Sequence, residues 1–461
     1  MFIGREAELS ALEKAYSRDK FQMVVMYGRR RVGKTTLVSE FIRGKPAILF
    51  SAKEMSEKMN LQNFSEAVYR FFDYPAAMGA FTGWDTAFDF IAEQAVMSRF
   101  ILAIDEFPYA ANASPTLTSI MQHIIDHKLR HTGLFLLLCG SQIGFMESDV
   151  LGYKSPLFGR RTAQIELGGL DYYDAAKMLP NTTAEEKIKY YATFGGTPHY
   201  LAMVDTDIGF EENVKELYFD PQGYLFTEPT MLLKQELREP TVYNSILTAI
   251  ATGSSRLNEI ATKIGESTSK TIKYIKVLMD LKLVHRVHPF GDNPERSRKC
   301  VYQLSDNCFR FWYRYVFPHM QAVETGAGAQ LADTIVFPDM SAFVGKPAFE
   351  EVCKQYLIRQ NKLGQLPFLA LSYGTWWGAD AQTRTQTDID IVAANLQEKS
   401  VLLCECKWKT MPPGEAELRT LREKNRLLSD YDRYHYMLFT KTSVNVTAKE
   451  VMVVTADGLF E

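Results

Sequence analysis

The chain has 461 residues and a formal net charge of −3 at pH 7, a length that suffices for about three domains and a charge that excludes a globally basic nucleic-acid-binding protein. We expect no membrane span, because no apolar run reaches about 18 residues, and no secretory signal, because the opening segment lacks a basic region followed by an apolar one. The six cysteines lack metal-ligand spacing and predict buried thiols in a reducing compartment, the cytoplasm.

The first chemical motif follows an apolar, strand-like segment that ends at Tyr27. Gly28, Gly33, Lys34 and Thr35 fill the pattern G-x-x-x-x-G-K-[ST], a phosphate-binding loop that leads into a helix. Its glycines let backbone N–H groups surround phosphates, Lys34 is expected to reach the β- and γ-phosphates, and the Thr35 hydroxyl is expected to ligate Mg²⁺. The predicted nucleotide-binding set is completed by Arg31, Val32 and Thr36. The sequence therefore predicts a site for a nucleoside triphosphate and Mg²⁺.

The next apolar strands carry polar side chains at their carboxyl ends. The strand Phe100 to Ile104 precedes Asp105, predicted to hold Mg²⁺, and Glu106, predicted to act as the general base that activates the attacking water. The strand Leu134 to Cys139 precedes Ser141. Ser141 is predicted either to sense the γ-phosphate or to cap the following helix.

Two arginines, Arg160 and Arg161, follow in the segment PLFGRRT. Arg160 is predicted either to act as an arginine finger on the γ-phosphate of a neighbouring subunit or to lie in a solvated basic turn. The first alternative implies a homo-oligomer.

These motifs together resemble a known family. The opening FIGREAEL, the loop YGRRRVGKTTL, the strand ILAIDEF and the segments PLFGRRT and FGGTPHYL are similar to the archaeal-type ATPases of the AAA+/STAND group, over about residues 1–235. The resemblance implies an ATPase with an α/β core (residues 1–165), a helical lid (residues 166–235) and ATP as the nucleotide. It also implies adenine contacts from Ile3, Gly4, Arg5 and Pro198, whereas the residues around Pro198 alone predict only a helix-breaking turn.

Residues 236–305 change character. Short amphipathic helices are predicted at Ser245 to Ala251, Leu257 to Ile264 and Ser269 to Leu281, followed by strands at Leu283 to His288 and Cys300 to Leu304. This order resembles a winged helix-turn-helix. A basic surface is predicted from Lys270, Lys273, Lys276, Arg296, Arg298 and Lys299. The module either contacts DNA, mainly through phosphates, or serves as a protein–protein spacer.

Residues 306–340 are aromatic-rich and then rich in Gly and Ala, which predicts a docking helix and a connector. The composition of residues 341–461 is α/β. A predicted strand, Thr387 to Val392, carries Asp388 and Asp390 on one face, and another, Ser400 to Trp408, carries Glu405 and Lys407 on one face. A predicted helix, Gly345 to Leu357, carries Glu350. Carboxylates from neighbouring strands can share a Mg²⁺ ion.

The spacing of Asp390, Glu405 and Lys407 resembles the PD-(D/E)xK core of restriction-endonuclease-like domains, of the DUF234 type appended to such ATPases. The resemblance implies metal ligation by Asp390, Glu405 and Glu350 and a catalytic role for Lys407. Asp388 is either an accessory ligand or a charged strand residue.

The predicted fold class is therefore α/β, with a P-loop ATPase core, a helical lid, a winged helix-turn-helix and a restriction-endonuclease-like α/β domain. One functional hypothesis is an ATPase coupled to DNA binding and Mg²⁺-dependent DNA cleavage. The alternative is a nucleotide-controlled switch or scaffold that binds DNA or protein without cutting.

Overall fold

The computed structural model of the protein describes residues 2–75, 78–237, 239–410, 414–443 and 450–461. The chain forms two compact units, Met1–Leu170 with Thr197–His199, and Asp171–Gly196 with Tyr200–Glu461. In these described ranges, no helix combines the length and the apolar composition needed to cross a membrane.

In the described part of the first unit, five parallel strands form a sheet in the order β2-β3-β4-β1-β5. The strands are β1 (Gln22–Tyr27), β2 (Ala47–Ser51), β3 (Ile101–Asp105), β4 (Phe135–Gly140) and β5 (Ala163–Glu166). The helices are α1 (Glu6–Tyr16), α2 (Lys34–Ile42), α3 (Glu57–Phe71), α4 (Trp84–Met97), α5 (Phe107–Ala113), α6 (Leu117–His127) and α7 (Ile143–Phe145). Strands β1, β3 and β4 are buried along their whole length, as expected for a parallel sheet covered by helices on both faces.

This topology brings the predicted catalytic residues to one edge of the sheet. Strand β4 lies between β3 and β1, and all run in the same direction, so the loops after their carboxyl ends meet. These loops hold the phosphate-binding motif, the acids Asp105 and Glu106, and Ser141. The predicted α/β class with a parallel P-loop core is confirmed.

The second unit begins with helices, among them α8 (Tyr172–Ala176), α9 (Ala184–Phe194), α11 (Phe210–Tyr218) and α12 (Tyr224–Glu236). The short helix α10 (Pro198–Leu201) begins in the residues assigned to the first unit. Helix α9 starts with a capping box in which the Glu186 amide donates to the Thr183 hydroxyl (3.2 Å) and the Thr183 amide donates to the Glu186 carboxylate (2.9 Å). These bonds satisfy amide groups that a helix start leaves unpaired.

Helices α13 (Pro240–Ala251), α14 (Leu257–Ile264) and α15 (Thr268–Asp280) precede an antiparallel hairpin of β6 (Val284–Val287) and β7 (Val301–Leu304). This is the element order that the sequence predicted, although α13 begins five residues before the predicted Ser245 and α15 begins and ends one residue earlier than predicted. Gly265, with φ of 71°, ends α14, and the Ser267 hydroxyl accepts the Lys270 amide at the start of α15 (3.3 Å). Glycine and serine are favoured at these positions.

The predicted connector is helical along most of its length. It contains α16 (Asn307–Phe311), α17 (Met320–Ala322), α18 (Gly328–Leu331) and α19 (Phe337–Phe343), joined by wider and tighter helical turns. Most of its aromatic residues are buried, and the Trp312 indole donates to the Phe226 carbonyl (2.8 Å). A Cβ on Gly328 would lie 1.9 Å from the Phe219 carbonyl oxygen. Only glycine at this position therefore allows α18 to lie so close to the Phe219 backbone.

In the described part of the C-terminal region, a mixed sheet has the order β12-β11-β10-β9-β8. The elements are α20 (Glu350–Lys362), β8 (Ser372–Ala379), β9 (Gln386–Asn395), β10 (Ser400–Lys407), α21 (Glu415–Glu423), β11 (Arg433–Thr440) and β12 (Val451–Thr455). Helix α20 does not begin at Gly345 as predicted, because the backbone of Lys346 is extended (φ −143°, ψ 127°) and Pro347 follows it. Regular α-helix therefore starts only at Glu350.

The hairpin is docked on the edge strand of this sheet. The Phe290 amide, in the turn after β6, donates to the Thr375 carbonyl of β8 (2.8 Å). Phe290 packs against the core that contains Ile389 and Trp376, and a Cβ on Gly374 would lie 3.0 Å from the ring. The turn thus supplies a hydrogen-bond donor to a strand edge that would otherwise be open.

We expect Phe290→Ala to loosen this contact by about 2 kcal/mol, roughly half of the loss for a fully buried Phe, because the ring is half buried. Hydrogen–deuterium exchange of the Phe290 amide should then be about 30-fold faster. The matched control is Phe158→Ala, at a more exposed ring (47%) of the first unit. Unchanged exchange in Phe290→Ala would contradict the contact.

Candidate functional site

The phosphate-binding loop has a backbone that its sequence requires. A Cβ on Gly28 would lie 2.0 Å from the Leu167 carbonyl oxygen, so only glycine fits at the start of the loop. Gly33 has φ of 91° and Arg31 has φ of 71°, left-handed conformations that turn successive N–H groups toward a common centre. Helix α2 starts immediately afterwards at Lys34, and its N-terminal end faces the same space.

The Lys34 side chain is buried inside this loop. Its ammonium group donates to the carbonyls of Gly28 (2.8 Å) and Arg29 (2.9 Å). Burial lowers the pKa of Lys34, and the nearby Glu106 and Asp105 carboxylates oppose that shift. The structure places Lys34 inside the loop, held by two loop carbonyls; its contact with the β- and γ-phosphates stays a prediction.

Thr35 and Asp105, the residues predicted to hold Mg²⁺, lie in direct contact. The Thr35 hydroxyl donates to the Asp105 carboxylate (2.7 Å), and Asp105 is only 3% exposed. The other carboxylate oxygen accepts the Glu106 amide (3.0 Å). A hydroxyl and a carboxylate are the hard oxygen donors that Mg²⁺ prefers, so these residues fit the predicted ion.

Glu106 is held by Ser141. The amide (3.1 Å) and the hydroxyl (2.7 Å) of Ser141 both donate to the same carboxylate oxygen of Glu106, whose backbone has φ of 50°. Ser141 does not cap the next helix, because Gln142 is the residue before α7 and no side-chain cap is formed there. The hydroxyl thus orients the predicted general base, a role that neither sequence alternative contained.

Residues of the opening segment and of the predicted lid motif lie against the loop. The Arg5 guanidinium donates to the carbonyls of Val32 (3.1 Å) and Gly168, and Gly4, with φ of 68°, turns the chain before it. Pro198 is in the same unit, with its Cγ 3.9 Å from the position of a Cβ on Gly33. Ile3 is half buried in the same segment. The predicted adenine contacts stay a prediction, with Arg5 and Pro198 beside the loop.

Arg160 has a partner within its own unit. Its guanidinium forms a two-bond ion pair with Asp126 of α6, including a 3.1 Å bond from Nε, and donates to the carbonyls of Pro156 and Phe158. These bonds lower the pKa of Asp126. Arg161 is exposed. A finger role for Arg160 therefore requires it to leave Asp126.

The C-terminal acids and lysine lie together. Strand β9 runs antiparallel to β10, with Ile391 paired to Cys404, so Asp390 and Glu405 come next on facing strands. Asp390 accepts the Cys406 amide (2.8 Å), and Lys407 donates to Glu405. Glu350 joins them from the start of α20, since it and Asp390 share a contact with Lys346.

Two further lysines enter this cluster. The Lys346 ammonium contacts carboxylate oxygens of Glu350 (3.1 Å), Asp388 (3.1 Å) and Asp390 (3.6 Å). Lys424, buried in the turn after α21, donates to Glu405 (2.7 Å). The spacing of Lys346, four residues before Glu350, was a usable sequence signal, whereas nothing in the sequence pointed to Lys424.

Burial shapes the charge of the cluster. Burial, followed by the Asp390 carboxylate, raises the pKa of Glu350 to about 8. Burial and the Glu405 carboxylate raise the pKa of Asp390. Burial also pushes the pKa of Asp388 upward, but Lys346, Lys424 and Lys407 together outweigh it and the net shift is downward. Burial and neighbouring negative charge both disfavour the ionised carboxylates, and a cation placed between them stabilises that ionised form.

In this structure, lysine ammonium groups occupy the space between the carboxylates of the C-terminal cluster. Within the described ranges, no set of three His, Cys, Asp or Glu side chains is placed closely enough to hold a metal ion. The carboxylates of Glu350, Asp390 and Glu405 supply the oxygen donors that Mg²⁺ requires, but they would have to close around the ion. The predicted metal ligands stay a prediction.

The predicted basic surface is solvent-facing. The side chains of Lys270, Lys273 and Lys276 on α15, and of Arg296, Arg298 and Lys299 in the hairpin turn, are exposed. Lys270 pairs with Glu266 (2.7 Å). The α15 face therefore presents positive charge while Ile275 and Leu278 are buried on its other side.

Two protein families match the chain. Residues 2–204 match an ATPase domain found predominantly in Archaea. Residues 312–421 match DUF234, a family of archaeal and bacterial proteins of unknown function.

Individual proteins are similar as well. An uncharacterized protein of Methanocaldococcus jannaschii is 32% identical over 447 residues, which cover 96% of this chain and 96% of that protein. An uncharacterized ATP-binding protein of the same organism is 44% identical over 45 residues, 10% of this chain and 76% of that one. The solved structure of a Walker-type ATPase of Pyrococcus abyssi covers 68% of this chain and 96% of its own, with a TM-score of 0.53 and 16% identity. This last likeness concerns the fold alone.

We expect Arg160→Ala to destabilise the first unit by about 2 kcal/mol at pH 7, because it removes charge-assisted hydrogen bonds to Asp126. The bound arginine depresses the pKa of Asp126, so this stabilisation is present above the unfolded pKa of about 3.9 and is lost as the pH falls through the folded value. Denaturant unfolding at pH 7 and pH 3 measures the difference.

The matched control is Arg161→Ala, which should change stability by less than about 0.5 kcal/mol because the side chain is exposed. ATP turnover at several protein concentrations separates the two roles of Arg160. Normal stability combined with a turnover defect that depends on concentration would favour the finger and contradict the structural role.

Proposed function

Because this chain belongs to the archaeal-type ATPases in which the ATPase domain is followed by a C-terminal DUF234 domain, we propose that it hydrolyses ATP with Mg²⁺ at the Lys34–Asp105–Glu106 site and couples this to DNA binding and cleavage by the second unit. The ATPase assignment follows from the family and the P-loop fold. The DNA-directed steps are the proposal.

The Thr35–Asp105 contact carries the catalytic part of the proposal. It joins the phosphate loop after β1 to the end of β3, on the far side of the intervening β4, through a hydroxyl and a carboxylate oxygen, at the sheet edge where the helix N-terminus and Lys34 also lie. Bound Mg²⁺ would supply charge neutralisation at the β- and γ-phosphates. Thr35 and Asp105 would hold it, and Lys34 would exchange its loop carbonyls for phosphate oxygens.

Glu106 is the group proposed to take the proton from the attacking water. Both Ser141 donors bind one of its carboxylate oxygens, which leaves the carboxylate oriented as an acceptor. Ser141 is thus proposed to position the base. Contact between Ser141 and the γ-phosphate would require the hydroxyl to leave Glu106.

DNA binding is proposed for the exposed lysines of α15 and the basic residues of the hairpin turn. The helix presents Lys273 and Lys276 to solvent, and ammonium groups three residues apart on a helix lie on one face, which suits contacts with phosphates. Base-specific recognition is not part of the proposal.

Cleavage is proposed for the C-terminal cluster. Asp390, Glu350 and Glu405 would hold Mg²⁺, and Lys407 would stabilise the charge that develops on the phosphate. Their convergence from α20, β9 and β10 supports this role.

A second function, a nucleotide-controlled switch that binds DNA or protein without cutting, is favoured by a separate observation. Lys346, Lys407 and Lys424 already neutralise the carboxylates, and the hairpin is hydrogen-bonded to β8 through the Phe290 amide. Carboxylates that are already paired with lysines, and a hairpin that is already packed on β8, are compatible with a domain that binds a partner without cutting it.

Glu106→Gln should lower the ATP turnover number about 100-fold, the usual contribution of a general base, while ATP still binds. Lys34→Ala should lose binding as well. Phosphate release and binding of a fluorescent ATP analogue measure both effects. The matched control is Glu54→Gln at an exposed acid, and turnover close to wild type in Glu106→Gln would remove Glu106 as the base.

Lys407→Ala and Asp390→Asn should each lower cleavage of plasmid and single-stranded DNA at least about 100-fold. The assay uses purified protein with Mg²⁺ or Mn²⁺, with and without ATP. Lys409→Ala, an exposed lysine two residues further along, is the matched control. Absence of cleavage by the wild type in every condition, with ATP turnover intact, would favour the switch.

A further inference from the structure

We propose that Lys346 is an internal cation that competes with a divalent metal ion for Glu350, Asp388 and Asp390, and so sets the metal affinity of the C-terminal cluster. This inference rests on the metal-dependent cleavage proposed above.

The geometry of one ammonium group is the first argument. The Lys346 Nζ lies 3.1 Å from Glu350 Oε1, 3.1 Å from Asp388 Oδ2 and 3.6 Å from Asp390 Oδ1. These acids come from α20 and β9, so the lysine bridges two of the three elements that carry the proposed ligands. A cation bound by the same oxygens would occupy the space that the ammonium group now fills.

Other carboxylate oxygens of Glu405 and Asp390 already have partners in the described contacts. Glu405 accepts Lys407 at Oε1 and Lys424 at Oε2, and the second oxygen of Asp390 accepts the Cys406 amide. A metal ion can therefore take the oxygens that face Lys346 by displacing one ammonium group, whereas ligation by Glu405 also requires Lys407 or Lys424 to move.

Lys346 is also the ammonium group that can leave most easily. Its side chain is 60% exposed, whereas that of Lys407 is 25% exposed and that of Lys424 is 10% exposed. An exposed ammonium group can turn into water without moving the surrounding chain, whereas a buried one can leave only after the surrounding chain has moved.

Size and charge distinguish the competitors. An ammonium group sits about 3 Å from its carboxylate partners, whereas Mg²⁺–oxygen distances are about 2.1 Å. The acids must therefore close inward when a divalent ion replaces the lysine. Removal of Lys346 leaves the same acids with fewer positive charges, which strengthens their attraction for a divalent ion.

The test is Mn²⁺ binding measured by titration calorimetry on the full chain without DNA, and the melting temperature with and without Mn²⁺. Lys346→Ala should bind Mn²⁺ at least about tenfold more tightly than the wild type. Its melting temperature should be lower without Mn²⁺ and recover when the ion is added. Lys346→Met, which keeps the aliphatic stem, should show the same gain and controls for lost packing.

The matched control is Lys354→Ala, which removes a lysine of α20 whose ammonium lies 3.6 Å from Glu351 and should leave Mn²⁺ affinity unchanged. Lys346→Ala combined with Asp390→Asn should lose the gain. Ions bound at the nucleotide site are common to all these variants and cancel in the comparison.

Unchanged Mn²⁺ affinity in both Lys346 variants, with a folded circular dichroism spectrum, would overturn the inference. DNA cleavage by the wild type together with that result would leave the nuclease function standing. Tighter Mn²⁺ binding in the variants without any DNA cleavage would support the role of Lys346 and remove the nuclease function.

Discussion

Lys34 and the acids at the strand ends lose most of their hydration when the chain folds, and the chain has to compensate each charge with its own polar atoms. Loop carbonyls hold Lys34, the Thr35 hydroxyl meets Asp105, and Ser141 holds Glu106. Lysines do the same for Glu405. Each compensating bond is one that a phosphate group, a water molecule or a metal ion can replace. The hydrogen bonds and ion pairs within both sites therefore indicate where the phosphate groups and metal ions of the proposed ligands would bind.

The two sheets meet this constraint with different topologies. In the first unit, parallel strands place the phosphate loop, Asp105 and Ser141 at one edge, where the helix N-terminus adds positive potential. In the second unit, the facing acids come from antiparallel β9 and β10, and Glu350 comes from the start of α20. Lysine side chains supply the balancing positive charge there.

The sequence was sufficient where chemistry is local. The phosphate loop, Asp105 and Glu106 follow buried apolar strands, and alternation along a strand placed Glu405 and Lys407 on one face. Contacts that join distant segments were not accessible. The partner of Arg160 lies on α6, the Ser141–Glu106 bond depends on a left-handed backbone at Glu106, and Lys424 reaches Glu405 from a separate turn. Each of these depends on side-chain direction after the fold has formed, which no spacing rule encodes.

The Phe290–Thr375 bond has a consequence for the borders of the second unit. A chain cut between the hairpin and β8 would expose the backbone of an edge strand whose neighbouring positions include Trp376 and the bare Gly374. Open strand edges pair with other chains and promote aggregation. The hairpin thus protects the edge of β8 from such self-association. An isolated C-terminal fragment beginning after residue 305 would therefore be less soluble than the same sequence within the whole chain.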